Sequence, residues 1–188
     1  VLTPASEGMK GAVKKAEELL KENENYYSLQ QFENPNNPDI HMKTTAMEIL
    51  TDMGYKIDAF VSGVGTGGTF TGVSTVLKSV LKNIKTYAVE PEESPVLSGG
   101  NAGPHKIQGI GAGFIPKNMN LELADGIEKV SVKDAYDMLR KIGACEGILL
   151  GPSSCAAIVG AIKVAERLGK GKTVVVIAPD NGERYLSM

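Results

Sequence analysis

Along this chain, stretches with apolar residues at every third or fourth position alternate with short runs that are apolar throughout. From Glu7 to Lys21, the residues Met9, Ala12, Val13, Ala16, Leu19 and Leu20 fall at helical spacing, with Ser6 placed to cap the start. Thr45–Met53 predicts a second helix, and Phe70, Val73, Val76, Leu77, Val80 and Leu81 predict the apolar face of a third. Two more are expected over Asp134 to about Ile142 and over the alanine-rich Ser154–Leu168. Asp58–Ser62, Thr86–Glu90, Gly147–Leu150 and Thr173–Ala178 read as buried strands, and Tyr26–Leu29 and Lys129–Val132 as weaker ones. Phe32–Pro38 (FENPNNP) reads as loop from its turn residues. Pro91–Pro116 is a long segment rich in glycine and proline, and a loop of that length in a compact domain is usually functional.

Strands that alternate with helices and are apolar throughout predict an α/β fold. Its sheet is doubly wound, mostly parallel and covered on both faces. In such sheets ligands bind beyond the carboxyl ends of the strands. The segments after Ser62 and after Leu150 both lie at such ends.

Composition narrows the classes. The 188 residues suit one domain, or one domain and a piece of another. Hydrophobic residues make up 42% and charged residues 22%, enough apolar material for a core. A net charge of −2 argues against a nucleic-acid partner, which would require a basic face. Cys145 and Cys155 form no paired framework and read as reduced thiols of a cytoplasmic protein. No apolar run is long enough to span a bilayer, so no membrane partner is expected. Val1 is not an initiator methionine, so the lack of a signal peptide weighs little and an organellar targeting peptide stays open. No Cys/His spacing suggests a metal site.

The chemistry concentrates in Gly63-Val64-Gly65-Thr66-Gly67-Gly68-Thr69, between a predicted strand and a predicted helix. Backbone amides of a glycine loop can close on a phosphate, and the helix N-terminus adds positive potential. The alternative is a glycine turn needed only for tight strand–helix packing. Gly63, Gly65 and Gly68 also fit a dinucleotide fingerprint, with Glu90 placed as its ribose-binding acid. No Gly-Lys-Ser/Thr follows, so the P-loop pattern is absent. Spacing alone leaves the phosphate reading, the packing turn and the dinucleotide site open.

Longer stretches narrow the choice. GTGGT at Gly65–Thr69 resembles the phosphate-binding loop of fold-type II pyridoxal phosphate enzymes (tryptophan synthase β-like). QQFENP at Gln30–Pro35, Val89-Glu90-Pro91 followed by Ser94-Pro95-Val96-Leu97, HKIQGIGAGFIP at His105–Pro116 and GERYLS at Gly182–Ser187 resemble the cysteine synthase (O-acetylserine sulfhydrylase) family, in that family's order. The resemblance implies that Gly65, Thr66, Gly67, Gly68 and Thr69 hold the phosphate of pyridoxal 5′-phosphate. Ser153 would face its pyridine nitrogen, Gln31 would lie near the substrate carboxylate or amino group, and Gly109 would line the site. It makes Glu90 part of a structural strand end. It further implies β-replacement of O-acetyl-L-serine by sulfide, giving L-cysteine and acetate, in a homodimer, with serine acetyltransferase as a type of partner. Residues 1–22 would be a returning piece of a smaller N-terminal domain and 23–188 the larger, cofactor-phosphate-binding domain.

Ser153 has a local alternative as the N-cap of its helix. As a cofactor residue, a serine donating to a neutral ring gives a weaker electron sink than an aspartate, which suits β-elimination. The family's Schiff-base lysine and its Thr-Ser-Gly-Asn-Thr-Gly substrate loop are expected upstream of Val1. The chain as given carries no catalytic lysine, and by itself is expected to be inactive. Lys133 in Ser131-Val132-Lys133-Asp134 is a decoy, a solvated lysine at a helix start. Pro152 and Cys155 depart from the family pattern beside Ser153, as do Ala46-Met47 and the Asp180-Asn181 pair. Cys155 reads either as a thiol with a pKa lowered by the helix N-terminus or as a small buried residue. The alternatives are cystathionine β-synthase or another β-replacing enzyme, a non-catalytic remnant that binds a phosphate or a partner, and an NAD-binding module.

Overall fold

The structure, a computed structural model, describes residues 1–186. Ser187, which ends the GERYLS motif, and Met188 lie outside the described residues. Four parallel strands form one sheet: β1 (Ala59–Gly63), β2 (Lys85–Pro91), β3 (Gly126–Val130) and β4 (Val174–Val176), in the order β3-β2-β1-β4. The alternation of side chains along each strand feeds two cores. Phe60, Ala88 and Val175 face α3 (Thr45–Asp52) and α4 (Gly68–Val80), where Leu50, Phe70, Val73 and Leu77 are buried. Ala59, Val61, Val89 and Val130 face α5 (Val132–Glu146) and α6 (Pro152–Leu168), where Ala135, Ala156, Ala161 and Val164 are buried. The expected parallel α/β sheet, covered on both faces, is present. All four carboxyl ends lie on one edge, where the glycine loop leaves β1.

Several local expectations fail for identifiable reasons. Phe32–Pro38 is loop only as far as Pro35, and α2 (Asn36–Lys43) begins inside the expected turn. Pro38 sits in its first turn, where the missing N–H would have no helical acceptor in any case. Tyr26–Leu29 is irregular and its apolar side chains are exposed, with no strand beside it among the described residues. Gly147–Leu150 is not a sheet strand. Gly147 ends α5 in a left-handed conformation, and only Leu150 makes a bridge, antiparallel, to Asn181. The strand expected at Lys129–Val132 lies earlier, because the Ser131 hydroxyl caps α5 and ends it. Ser6 caps nothing: it lies in a 3-10 turn (Ala5–Glu7) before α1 (Gly8–Glu22). In α1 Gly11 is the one buried residue, and Met9 and Ala12 are exposed. Among the described residues no helix is long and apolar enough to cross a membrane.

Candidate active site

The glycine loop is held open by its neighbours. A Cβ at Gly65 would overlap the carbonyl oxygen of Gly109, and one at Gly68 would overlap the Asn37 side chain. Gly109 itself has φ +92, a conformation that favours glycine. The Asn37 amide donates to Thr66 Oγ1 at 3.0 Å and to the carbonyl of Gln31 at 2.8 Å. The Asn118 amide donates to the same Gln31 carbonyl at 2.9 Å. His41 bridges α2 to the loop, with Nδ1 2.9 Å from Thr45 Oγ1 and Nε2 3.1 Å from Thr69 Oγ1. Burial pushes the His41 imidazole below its ordinary pKa, which favours the neutral ring in this bridge.

The backbone N–H groups of Gly65, Thr66, Gly67 and Thr69 donate to no described residue, and that of Gly68 has only a long contact, 3.4 Å, to Thr66 Oγ1. Free amides at the start of a 13-residue helix form a site for an anion such as phosphate. A packing turn alone would not require them to stay free.

An open cleft of 840 Å³ lies against this loop. Gln31, Gly65, Thr66 and Gly109 all line it, together with Phe32 and His105. Phe32 meets Phe114 edge to face at 5.0 Å, which ties the Gln31 segment to the loop that carries Gly109. Lys10 at the start of α1 is the one lysine lining the cleft among the described residues. Gly67, Gly68 and Thr69 sit behind, toward Met119, Asn37 and His41.

Ser153 is buried behind Gly109, where a Cβ at residue 109 would stand 3.4 Å from its hydroxyl. It is not the N-cap of α6. Gly151 takes that position and Pro152 the first helical one. The Ser153 hydroxyl donates to Asp180 Oδ1 at 3.3 Å. Ser154 Oγ lies 2.8 Å from the same oxygen, and the Tyr185 hydroxyl donates to Asp180 Oδ2 at 2.7 Å. Gly151 makes room for this carboxylate, since a Cβ there would overlap it. Cys155 is fully buried. Burial, and then the Asp180 charge, push its thiol up to about 11, so the small buried residue is the correct reading and the lowered pKa is not.

The dinucleotide alternative fails at Glu90. Its carboxylate is buried and accepts from the backbone of Leu97 at 2.6 Å and of Ser98 at 3.1 Å, and from the Ser98 hydroxyl at 2.5 Å. It shapes the turn after β2 and does not face a ribose site. Lys133 is exposed at the start of α5 and pairs with Asp137 at 2.6 Å, far from a catalytic role. Asn37, Asn118, His41 and Asp180 join the site without having been expected there. Asn37 lies in the stretch whose composition predicts a turn, nothing local marks Asn118, and Asp180 meets α6 only through the fold.

Residues 1–180 match the family described as pyridoxal-phosphate dependent enzyme. Over its full length the chain is 59% identical to a cysteine synthase of Staphylococcus aureus (strain N315), and it spans 60% of the length of that curated relative. It superposes on the crystal structure of the cysteine synthase of Entamoeba histolytica with a TM-score of 0.93 at 47% identity, covering 100% of this chain and 56% of the other. It superposes on an O-acetylserine dependent cystathionine β-synthase of Helicobacter pylori with a TM-score of 0.92 at 43% identity, covering 100% of this chain and 61% of the other. The free amides of Gly65–Thr69 at the start of α4 fit a phosphate, and with these matches the chain belongs to the family of pyridoxal-phosphate dependent enzymes.

Proposed function

We propose that this chain is the cofactor-phosphate-binding part of a cysteine synthase, which replaces the acetate of O-acetyl-L-serine with sulfide. The observation that carries the reading is the set of free amides at Gly65, Thr66, Gly67 and Thr69, of which Gly65 and Thr66 line the cleft together with Gly109 and Gln31. Pyridoxal 5′-phosphate, when bound, supplies the electron sink that lets a β-substituent leave. The chain's own residues then have separate tasks. The amides of the loop and the positive end of α4 hold the phosphate. Gln31, fixed through its backbone by Asn37 and Asn118, presents its side chain to the substrate. Gly109 keeps the wall in front of Ser153 free of a side chain, and Ser153 meets the ring nitrogen. Phe32, His105 and residues 107–113 form part of the wall of the cleft.

The same reading includes a smaller domain to which residues 1–22 belong. The apolar stripe of α1 joins neither core, with Met9, Ala12 and Ala16 exposed and Val13, Leu19 and Leu20 half-buried, and this supports it. A homodimer, a serine acetyltransferase partner and a cytoplasmic location follow from the family resemblance, and gel filtration, co-purification and fractionation test them. Cystathionine formation is the second reading, favoured by the 43% identity to the Helicobacter pylori protein. The protein that carries this chain, given pyridoxal phosphate, O-acetylserine and either sulfide or homocysteine, decides between them. Cysteine formed faster from sulfide supports the proposal. Cystathionine formed faster from homocysteine selects the second reading, and neither product contradicts both.

A further inference from the structure

The side-chain amide of Asn37 is shared between the two halves of the candidate site. Asn37 stands in the first turn of α2, and Gly72 lets α2 lie directly on α4, since a Cβ at residue 72 would overlap the Pro38 carbonyl. The Asn37 Nδ2 donates to the Gln31 carbonyl at 2.8 Å and to Thr66 Oγ1 at 3.0 Å. Its Oδ1 fills the space that a Cβ of Gly68 would take. A carbonyl only accepts, so the Gln31 carbonyl fixes which end of the amide is the nitrogen. Both bonds are donated by that nitrogen, and neither depends on where the Thr66 hydroxyl proton points.

The Gln31 end is held under strain. Gln30 has φ +50 although it is not glycine, and its side chain is exposed. Such a backbone persists only where the surrounding bonds over-determine it. The Gln30 carbonyl accepts from the N–H groups of Glu33 and Asn34, both at 2.9 Å, and the Asn34 amide donates to the Leu29 carbonyl at 2.9 Å. The Gln31 carbonyl that follows uses both its lone pairs, on Asn37 and on Asn118. At the other end the amides of Gly65, Thr66 and Gly67 are free, so an anion that takes them fixes Thr66. Among the described residues Asn37 is the one side chain that hydrogen-bonds both the glycine loop and the Gln31 segment. We infer that Asn37 is a positioning residue that couples the two: capture of a phosphate by the glycine loop sets the place of Gln31, so the cofactor side of the cleft organises the substrate side. This rests on the assignments of the loop to phosphate and of Gln31 to substrate proposed above. Coupling between two sites is reciprocal, so a ligand held at Gln31 favours the filled loop in return.

The test is a ¹H–¹⁵N titration of the full chain with inorganic phosphate, following the backbone and side-chain amide signals of Gln31 beside the backbone signals of Gly65–Thr69. In the unaltered chain the Gln31 signals should shift with the same midpoint as the loop. In Asn37→Ala the loop should still respond and the Gln31 response should be lost. Asn118→Ala removes the other bond to the Gln31 carbonyl and no hydrogen bond to the loop, so it should keep that response. Thr66→Val cuts the coupling from the loop side, and carries the test if Asn37→Ala does not fold. Gln31 signals that follow phosphate unchanged in Asn37→Ala or Thr66→Val report direct contact and overturn the inference. Loss of the Gln31 response in Asn118→Ala overturns it as well, as does loss of the loop shifts in Asn37→Ala, since Asn37 would then build the phosphate site itself. Loop shifts without any Gln31 response in the unaltered chain overturn it and leave the phosphate assignment standing. No shift at the loop overturns both.

Discussion

Two helices, α4 and α6, begin at the same edge of the sheet and treat their N-termini in opposite ways. At α4 the loop Gly63–Gly68 brings no anion of its own and leaves amides free beside a cleft. At α6 the start is closed from within, because Asp180 is seated against Gly151 and takes the hydroxyls of Ser153 and Tyr185. Both ends have the same positive potential. Only the first is open to an external anion. The helix end does not itself make a binding site; what matters is whether the fold has already supplied a counter-charge.

The largest expected effect concerns the closed end. A cysteine in the first turns of a helix is usually activated, but Cys155 is buried and its thiol is pushed up to about 11. Its alkylation at pH 8 should be slower than that of the exposed Cys145 by roughly 100-fold or more, read by peptide mass spectrometry. The shift has a stability counterpart. The folded thiol is raised above its ordinary 9.0, so its contribution is fully present below pH 9 and is lost as pH climbs toward 11. Comparable rates for the two thiols would mean that α6 is open after all.

Next comes Gly65→Ala, whose methyl group would overlap the Gly109 carbonyl. Overpacking against backbone costs about 1–3 kcal/mol, and if that cost falls on the bound loop, phosphate affinity measured by calorimetry should fall roughly 5- to 150-fold. Gly151→Ala is its counterpart at the closed end, where the methyl meets the Asp180 side chain. It should lower unfolding stability by about 1–3 kcal/mol in urea denaturation and leave inorganic phosphate affinity within roughly twofold. If both variants lost phosphate binding equally, the two ends would not be functionally distinct. The smallest effect belongs to Lys133→Ala, on an exposed ion pair, which should change stability by less than about 0.5 kcal/mol and phosphate binding not at all.

The open end was largely legible in the sequence. An apolar run, a glycine cluster and a helical face follow one another there within about two dozen residues, and each depends on local spacing. The closed end was not, because its parts come from residues 151–155 and 180–185, and nothing local in Asp180-Asn181 indicates a serine partner. Reading Ser153 as an N-cap failed because Gly151 and Pro152 already start the helix. The α2 helix was hidden by Asn and Pro, whose turn preference was outweighed once Asn37 found Thr66 and the Gln31 carbonyl. Tyr26–Leu29 and Gly147–Leu150 have strand composition, but a strand also needs a neighbour to pair with, which composition does not supply. Glu90 was placed correctly by the family resemblance, whereas local spacing alone pointed to a ribose.

The most direct test of the contrast is an amide ¹H–¹⁵N titration of the chain with pyridoxal 5′-phosphate, and with inorganic phosphate in parallel. The account predicts saturable shifts at Gly65, Thr66, Gly67 and Thr69 with both ligands. Under inorganic phosphate the amides of residues 153–155 should not move. Shifts centred on the start of α6, or none at the glycine loop, would contradict it.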